Sequence, residues 1–98
     1  MAINIDKELN EIIANLKPAE GYLDCEKVII INLKKHLANK IPVSDIDIYL
    51  KNLMQHFENL VEENENFDGN INYRYAAQFL NTSISTPYWK SWIHANPS

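Results

Sequence analysis

Residues that break regular structure are scarce in this sequence. Its 98 residues include only 2 glycines and 4 prolines, and these stand between the apolar stretches rather than within them. All-β folds need many tight turns, and disordered chains are usually rich in glycine and proline, so the scarcity favours helices. Cysteine occurs once, at Cys25, which excludes an internal disulfide and removes any need for an oxidising compartment.

Long hydrophobic runs are also missing. The longest apolar run, at 28–31, is far too short to cross a bilayer, and the polar, acidic N-terminus does not resemble a signal peptide. Apolar residues make up 46% and charged residues 22%, which is typical of a soluble globular chain. We therefore expect a cytoplasmic protein with no membrane segment, folded as a single helical domain over 1–98 around one modest core.

Patterns typical of catalysis or metal binding do not occur. There is no glycine-rich phosphate loop and no GxSxG motif. His36, His56 and His94 lack the spacing of metal ligands to one another and to Cys25. Cys25 lies in an apolar stretch, which predicts a buried, inert thiol. We therefore expect no catalytic residues, no metal and no cofactor, and predict that the protein is not an enzyme.

Positive charge is scarce after residue 40, where only Lys51, Arg74 and Lys90 occur. Residues 1–40 hold six acids and six bases, so they balance. Residues 41–69 hold seven acids and one lysine, a net charge of −6, and residues 70–98 hold only Arg74 and Lys90, a net charge of +2. The sequence therefore predicts an acidic middle followed by a weakly charged, aromatic end.

Hydrophobic periodicity predicts an all-α bundle of about five helices. Cys25, Ile29, Leu33 and Leu37 recur every fourth residue, and a helix that is apolar on most sides is central in a bundle or shares a dimer seam. The β-branched run at 27–33 could instead form a strand, although no partner strand is evident. The predicted helices cover about 6–16, 22–39, 45–63, 71–80 and from Thr86 to about 95.

Further patterns indicate the core face of the third helix and the ends of the fourth and fifth helices. Ile46, Leu50, Leu53, Phe57 and Leu60 recur at steps of four and three, which predicts one continuous core stripe along the third helix. The fourth helix is expected to begin after an Asn70 cap and to end in a turn at 81–85. Thr86 is then expected to cap the fifth helix, whose first position suits Pro87.

The last two predicted helices have the spacing of a helix-turn-helix. Ala76, Leu80, Ser83 and Thr86 are placed as in many DNA readers of that class. A helical hairpin followed by "GNINYRYAAQFLNTS" resembles the Fis-type nucleoid proteins, and "AAQFLNTSIST" resembles the turn of excisionase-like regulators. These resemblances imply a dimer through the second and third helices that contacts DNA. The residues facing DNA would be Arg74, Asn81, Ser83, Ser85, Thr86 and Lys90.

The charge pattern opposes this DNA-binding interpretation. Affinity for a duplex depends largely on several lysines and arginines that neutralise phosphates. The two candidate helices contain only Arg74 and Lys90, and where the family has basic residues this sequence has Tyr88, Trp89 and Trp92. DNA binding is therefore the alternative rather than the leading hypothesis.

Aromatic residues point to a protein partner instead. Six of the ten lie after residue 70. We expect some of these rings, Tyr88 or Trp89 in particular, to be exposed, since uncharged tyrosine and tryptophan surface is typical of protein-binding hot spots. Changing both Tyr88 and Trp89 to alanine is then expected to leave folding nearly intact and to weaken binding. The simpler interpretation is that the rings only cover the core.

A second resemblance is consistent with a protein partner. "LMQHFENLVEE" at 53–63 and "KSWIHAN" at 90–96 resemble segments of the colicin- and pyocin-type nuclease immunity proteins. Those are small acidic helical proteins that hold a nuclease toxin inactive by means of acidic residues and paired tyrosines. In this sequence Tyr73 and Tyr75 follow the acidic helix in the same order, but they are separated by one residue.

The leading hypothesis is therefore a small acidic interaction protein that binds and inhibits or regulates a basic macromolecule, most concretely as an immunity protein or antitoxin. Complementary charge would speed the encounter and select the partner. A homo-oligomeric assembly subunit is a further alternative, and the acidic stripe could simply be the solvated side of a helix. The predicted contact residues are Asp45, Asp47, Glu58, Glu62, Glu63, Tyr73, Tyr75, Tyr88 and Trp89.

Overall fold

The structure, a computed structural model, describes residues 5–37, 43–86 and 89–92. These ranges contain helices and the turns between them, and no strand occurs within them. The all-α prediction is therefore confirmed, and the strand alternative for 27–33 is wrong. No helix in the described ranges is both long and apolar enough to cross a membrane. The helices are α1 (Ile5–Leu16), α2 (Tyr22–Leu37), α3 (Val43–Glu63), α4 (Asn70–Ser85) and the single turn α5 (Trp89–Trp92).

The apolar stripes meet in one core. Ile12 and Leu16 of α1 are buried, as are all four residues of the α2 stripe and the first four of the five-residue α3 stripe, whose last member, Leu60, is half-buried. Apolar residues at these helical spacings share one face of each helix, which makes burial in a common core possible. The core positions predicted for α2 and α3 are therefore confirmed.

Helix α4 is the central element of the bundle. It packs most extensively against α3 and also against α2, while α1 packs on α2. The six-residue connection between α3 and α4 makes these helices antiparallel neighbours. Helix α3 begins two residues earlier than predicted, and α2 is described only as far as Leu37, so its predicted last two residues lie outside the described ranges.

Two asparagines in the first turn of α4 hold the ends of other helices. Asn70 Nδ2 donates hydrogen bonds to Val61 O at 2.9 Å and to Asn64 O at 3.0 Å, at the end of α3. Asn72 Nδ2 donates to Leu16 O at 2.9 Å and to Ala19 O at 3.2 Å, just beyond α1. Carbonyls at a helix C-terminus lack intrahelical partners. The two amides supply donors to Val61 O and Ala19 O, and they add a second donor to Leu16 O and Asn64 O, which also accept from the N–H groups of Ala19 and Phe67.

The prediction that Asn70 caps α4 is therefore wrong. The N-cap of α4 is Gly69, and no side chain caps the helix there, because Asn70 is its first residue and is turned toward α3. Sequence alone gives no reason to expect this, since the partners of Asn70 belong to a different helix.

Replacing the buried Asn72 with alanine is expected to lower the free energy of unfolding by about 1–3 kcal/mol, because Leu16 O and Ala19 O lose a donor in the interior. Urea unfolding followed by circular dichroism measures this change. The matched control is Asn52→Ala at an exposed position of α3, where a change within about 0.5 kcal/mol is expected. Equal effects of the two substitutions would contradict the bridging role of Asn72.

The turn predicted at 81–85 is wrong, because α4 continues through it to Ser85. Hydroxyl side chains are accommodated in this last turn by bonding back to the helix: Ser85 Oγ donates to Asn81 O at 2.9 Å and Thr86 Oγ1 to Thr82 O at 2.7 Å. Ser83 is completely buried in the contact with the core. Thr86 ends α4, since its N–H also donates to Thr82 O, and the predicted helix start at Pro87 lies outside the described ranges. Of the predicted fifth helix, residues 93–95 lie outside the described ranges.

Tyr49 makes the stability of the fold sensitive to alkaline pH. Its ring is buried, and its hydroxyl has no hydrogen-bond partner in the described part of the chain. Burial, and secondarily the negative charge of Glu8, raises the pKa of Tyr49 above its ordinary range. The unfolded chain releases this proton above about pH 10, while the folded chain retains it. The free energy of unfolding is therefore unaffected by this ionisation below about pH 10, and it falls as the pH rises further.

The free energy of unfolding of a Tyr49→Phe variant is expected to depend less on pH in the alkaline range than that of wild type. Above about pH 10 the wild-type free energy of unfolding should fall by up to about 1.4 kcal/mol per pH unit more than that of the variant. At neutral pH the two should differ by less than about 1 kcal/mol, because the lost hydroxyl has no partner in the described residues. Urea unfolding at neutral pH and in steps above it tests this expectation, and parallel pH curves would refute it.

Candidate protein-binding site

The five predicted acidic contact residues lie on two edges of α3. A helix turns by about 100° per residue, so Asp47, Glu58 and Glu62 fall on the edge toward α4, while Asp45 and Glu63 fall on the opposite edge. Asp45, Glu58, Glu62 and Glu63 are exposed, and Asp47 is half-buried. Asp47 Oδ2 lies 3.4 Å from Lys51 Nζ, which offsets its charge. The acidic stripe is therefore two separate surfaces, and the one that carries Glu58 and Glu62 borders α4.

Glu58 and Glu62 line a cleft between α3 and α4. The cleft has a volume of about 280 Å³, and its other walls are Val61, Arg74 and Ala77. Val61 and Ala77 are half-buried, so the apolar part of the cleft is continuous with the packing between the two helices. The cleft combines a small apolar surface with two carboxylates one helical turn apart.

Arg74 is held within this cleft by Asn70. Its Nε donates a 2.7 Å hydrogen bond to Asn70 Oδ1, and the amide of Asn70 is in turn fixed to the end of α3. Within the described ranges, neither Glu58 nor Glu62 forms an ion pair with Arg74 or with any other cation. The three charges of the cleft sum to −1, since two carboxylates face one guanidinium.

The position of these acids opposes the stability of α3. Glu58 and Glu62 are four residues apart, and like charges at that spacing destabilise a helix. Glu62 and Glu63 lie in the last turn of α3, where no basic residue occurs. A negative charge there meets the negative end of the helix dipole. Each of these placements costs a few tenths of a kcal/mol, and no ion pair in the described residues offsets that cost.

Tyr73 and Tyr75 do not lie side by side. Residues two apart on a helix point about 200° apart, and the two rings accordingly pack on opposite sides of α4. The Tyr73 ring lies 6.3 Å from Phe57 and 6.2 Å from Phe67, centroid to centroid. The Tyr75 ring meets Tyr22 edge-on at 5.7 Å. The expectation that both tyrosines join one contact surface with the acids is therefore wrong.

Trp89 is part of the core. Its side chain is 3% exposed, and it packs within the same cluster as the residues of α2, α3 and α4. The expectation of an exposed ring at this position is therefore wrong, and Trp89 does not belong to the candidate surface. Lys90 follows it with Nζ 5.6 Å from the centre of the indole ring. Tyr88 and the side chain of Trp92 lie outside the described part of the chain.

The residues proposed to face DNA do not form a basic surface. Arg74, Asn81, Ser85 and Thr86 are exposed, but Ser83 is completely buried, so its predicted contact with DNA is wrong. Arg74 is bound to Asn70 at the start of α4, and Lys90 lies beyond the other end of that helix. The exposed side of α4 otherwise carries uncharged residues, which leaves few cations for phosphates.

A second cleft, of about 240 Å³, was not foreseen from the sequence. It is lined by Ile13, Lys17, Phe67, Asn72 and Tyr73, together with Gly69. The Phe67 ring packs so closely over Gly69 that an added Cβ would overlap it, with Phe67 Cζ at 2.7 Å. A larger residue at 69 would therefore have to displace the Phe67 ring, which is 50% exposed, while the backbone φ of −72° would suit any residue. The one signal in the sequence is a lone phenylalanine inside an otherwise polar connection.

Metal binding finds no support among the described residues. No three His, Cys, Asp or Glu side chains converge there in a way that could hold an ion. Cys25 is buried, and the pKa of its thiol is raised by burial and then by the charge of Asp24. A raised pKa lowers the thiolate fraction, and burial restricts access, so the predicted inert thiol agrees with this environment.

Comparison with models of protein families, with curated proteins and with solved structures finds no significant match to this chain.

Proposed function

We propose that this chain is a small acidic helical protein that binds a basic macromolecule and thereby inhibits or regulates it. The most concrete version is an immunity protein or antitoxin that acts on a basic toxin or nucleic-acid enzyme. The surface proposed for this contact is the cleft of Glu58, Val61, Glu62, Arg74 and Ala77, together with the acidic field around it. Asp45, Glu63 and the aromatic residues outside the core are secondary contacts.

The observation that supports the proposal best is the uncompensated position of Glu58 and Glu62. A helix selected only for stability would carry lysine rather than glutamate in its last turn. Acidic residues retained where they cost stability are expected at functional sites, since local rules of stability are commonly broken there. The acids in the connection after α3, Glu65 and Asp68, are also exposed and extend the negative field.

The cleft has the chemistry to receive an arginine or lysine side chain. The aliphatic stem of such a residue would pack on Val61 and Ala77, and its charged head would meet the carboxylates of Glu58 and Glu62. Arg74 would remain bound to Asn70, which reduces its competition for the same carboxylates. Surrounding negative charge would speed the encounter with a basic partner and weaken as salt is added.

Isothermal titration with a decameric arginine peptide at low salt tests the cleft. Wild type is compared with Glu58→Gln/Glu62→Gln and with a matched control, Asp45→Asn/Glu63→Gln, which loses the same charge on the other edge of α3. We expect the cleft variant to bind at least about fivefold more weakly than the control. Equal loss in both variants would mean that only the general negative field attracts cations.

Titration of the same three proteins with a DNA duplex tests the alternative function. The DNA-binding hypothesis requires retention on duplex DNA at moderate salt, with a steep salt dependence. We expect no binding even at low salt, because the exposed side of α4 carries one arginine and the neighbouring surface of α3 is acidic. Saturable DNA binding by wild type would replace the proposed function.

A further inference from the structure

The single arginine of the chain, Arg74, lies beside two glutamates without pairing with either. Glu58, Glu62 and Arg74 line the same cleft between α3 and α4, and all three side chains are exposed. An arginine that borders two carboxylates is expected to pair with one of them, since opposite charges a few ångströms apart attract. Within the described ranges no such pair is formed, so a different contact sets the position of the guanidinium.

That contact is the 2.7 Å hydrogen bond from Arg74 Nε to Asn70 Oδ1. Asn70 is only 6% exposed, and its Nδ2 donates to Val61 O and Asn64 O at the end of α3. These two bonds fix the plane of the amide, and with it the position of the Oδ1 atom. A charged donor forms a stronger hydrogen bond than a neutral one, so this fixed acceptor restrains the arginine side chain one helical turn further along α4.

We propose that Asn70 is a positioning residue that keeps the cleft open by holding Arg74 away from the carboxylates that receive the partner's cation. This inference rests on the proposed function and adds a means of regulating the same site. The cleft then has two arrangements. In the open one Arg74 is bonded to Asn70 and the carboxylates are available. In the closed one Arg74 pairs with the carboxylates itself and competes with the partner.

The balance between the two arrangements depends on the Asn70 acceptor. An exposed ion pair of Arg74 with Glu58 or Glu62 is weak, because water screens the charges and both long side chains lose freedom. The bond to Asn70 orders only the arginine, since the amide is already held in place. A cationic ligand binds the open arrangement, so its apparent affinity falls in proportion to the fraction of molecules that are closed. Removal of the acceptor raises that fraction.

Isothermal titration with the decameric arginine peptide at low salt measures this effect. Asn70→Ala should weaken binding by about fivefold, because Arg74 is released toward the carboxylates. Arg74→Gln should strengthen binding, since it removes the cation of the cleft. In the Arg74→Gln background, Asn70→Ala should change the affinity by less than about twofold. This double-mutant cycle separates an effect that acts through Arg74 from one that acts through the fold.

Asn70→Asp is the matched control for the bonds to α3. It removes the same amide donor to Val61 O and Asn64 O as Asn70→Ala does, but it retains an oxygen that can accept from Arg74 Nε. We expect its affinity for the peptide to be at least that of wild type. An Asn70→Asp variant that binds as weakly as Asn70→Ala would show that support of α3, rather than the placement of Arg74, maintains the cleft.

The Nε–H signal of Arg74 reports the position of this side chain without any ligand. Because the chain has one arginine, its signal in a proton–nitrogen correlation NMR spectrum is unambiguous. Asn70→Ala should shift the signal, and adding Glu58→Gln and Glu62→Gln should shift it again, because the guanidinium has moved onto these carboxylates. In an otherwise wild-type chain the two glutamate substitutions should leave the signal nearly unchanged.

Arg74→Lys tests the same point with every bond of Asn70 to α3 intact, and it decides the matter if circular dichroism shows that Asn70→Ala does not fold. Lysine keeps the charge but lacks the Nε donor, so its ammonium is free to pair with the carboxylates. The variant should bind the peptide at least about threefold more weakly than wild type. An unchanged or higher affinity would overturn the inference.

The two kinds of measurement distinguish failure of this inference from failure of the proposed function. If Glu58→Gln/Glu62→Gln does not selectively weaken peptide binding, the cleft is not the cation site, and the NMR comparison alone decides whether Asn70 holds Arg74 off the carboxylates. An Arg74 signal that Asn70→Ala leaves in place, or that responds to Asn70→Ala equally with and without the glutamates, overturns the inference. A loss of affinity in Asn70→Ala that persists in the Arg74→Gln background does the same.

Discussion

Replacing Trp89 with alanine is expected to lower the free energy of unfolding by about 3–5 kcal/mol, the cost of deleting a large buried aromatic side chain. Trp89 is 3% exposed and is the described residue through which α5 joins the core. Single domains of this size are stable by only about 5–15 kcal/mol. One substitution in a four-residue helix should therefore remove a large fraction of the total stability.

Two further variants separate burial from other roles of this residue. Trp89→Phe should cost clearly less than Trp89→Ala, because the ring largely refills the site and the indole Nε1 has no hydrogen-bond partner in the described residues. Lys90→Ala removes only an exposed cation near the ring and should cost about 0.5–1 kcal/mol. Urea unfolding measures all three. A Trp89→Ala protein as stable as wild type would restore the exposed-ring hypothesis.

Replacing Glu62 with lysine is expected to stabilise the fold and to weaken binding of a cationic partner. The new lysine follows Glu58 by four residues, which is the favourable order for an ion pair on a helix. It also places a positive charge at the negative end of α3. Together these changes should raise the free energy of unfolding by about 0.5–1.5 kcal/mol.

Binding should change in the opposite direction. The substitution puts a cation into the cleft that is proposed to receive one, so affinity for the arginine peptide should fall by on the order of tenfold or more. Unfolding in urea and titration with the peptide measure the two effects on the same protein. The matched control is Asn52→Lys, an exposed position on the edge of α3 that carries Asp45 and Glu63, which introduces the same type of residue without removing an acid from the cleft.

The direction of the change in stability and the direction of the change in affinity together distinguish a binding site from a solvated helix face. If Glu62 were only part of a solvated surface, Glu62→Lys would stabilise the protein and would reduce affinity no more than Asn52→Lys does. If the carboxylate instead supported the fold, stability would fall. Only a higher free energy of unfolding combined with a selective loss of binding agrees with the proposed function.

Much of the helical framework could be predicted from spacing alone. The four-residue repeat of α2 and the mixed three- and four-residue steps of α3 identify faces that are in fact buried, because helical periodicity is a local property. The exposure of Glu58 and Glu62 follows in the same way, as the opposite side of the Phe57 stripe. The error at 81–85 has a local cause too, since serine and threonine favour turns but can also bond back to carbonyls within a helix.

The candidate site depends on contacts that periodicity does not encode. Glu62 and Arg74 are separated by a connection of polar residues, and only the antiparallel packing of α3 on α4 brings them to one cleft. Asn70 resembles a helix cap in the sequence, yet its amide is bonded to α3 and its carbonyl oxygen holds Arg74. Neither relation is visible from residue types, because each joins two helices.

The sequence by itself determined that this protein is helical, that its middle is acidic, and which faces of α2 and α3 are buried. Those properties follow from composition and from the 3.6-residue period of a helix. The tertiary structure alone decided that Trp89 is inside, that Tyr73 and Tyr75 face opposite ways, and that Leu23 and Ile31 remain uncovered. Burial of a particular side chain depends on which neighbouring helix packs against it, and packing between helices is a property of the whole fold.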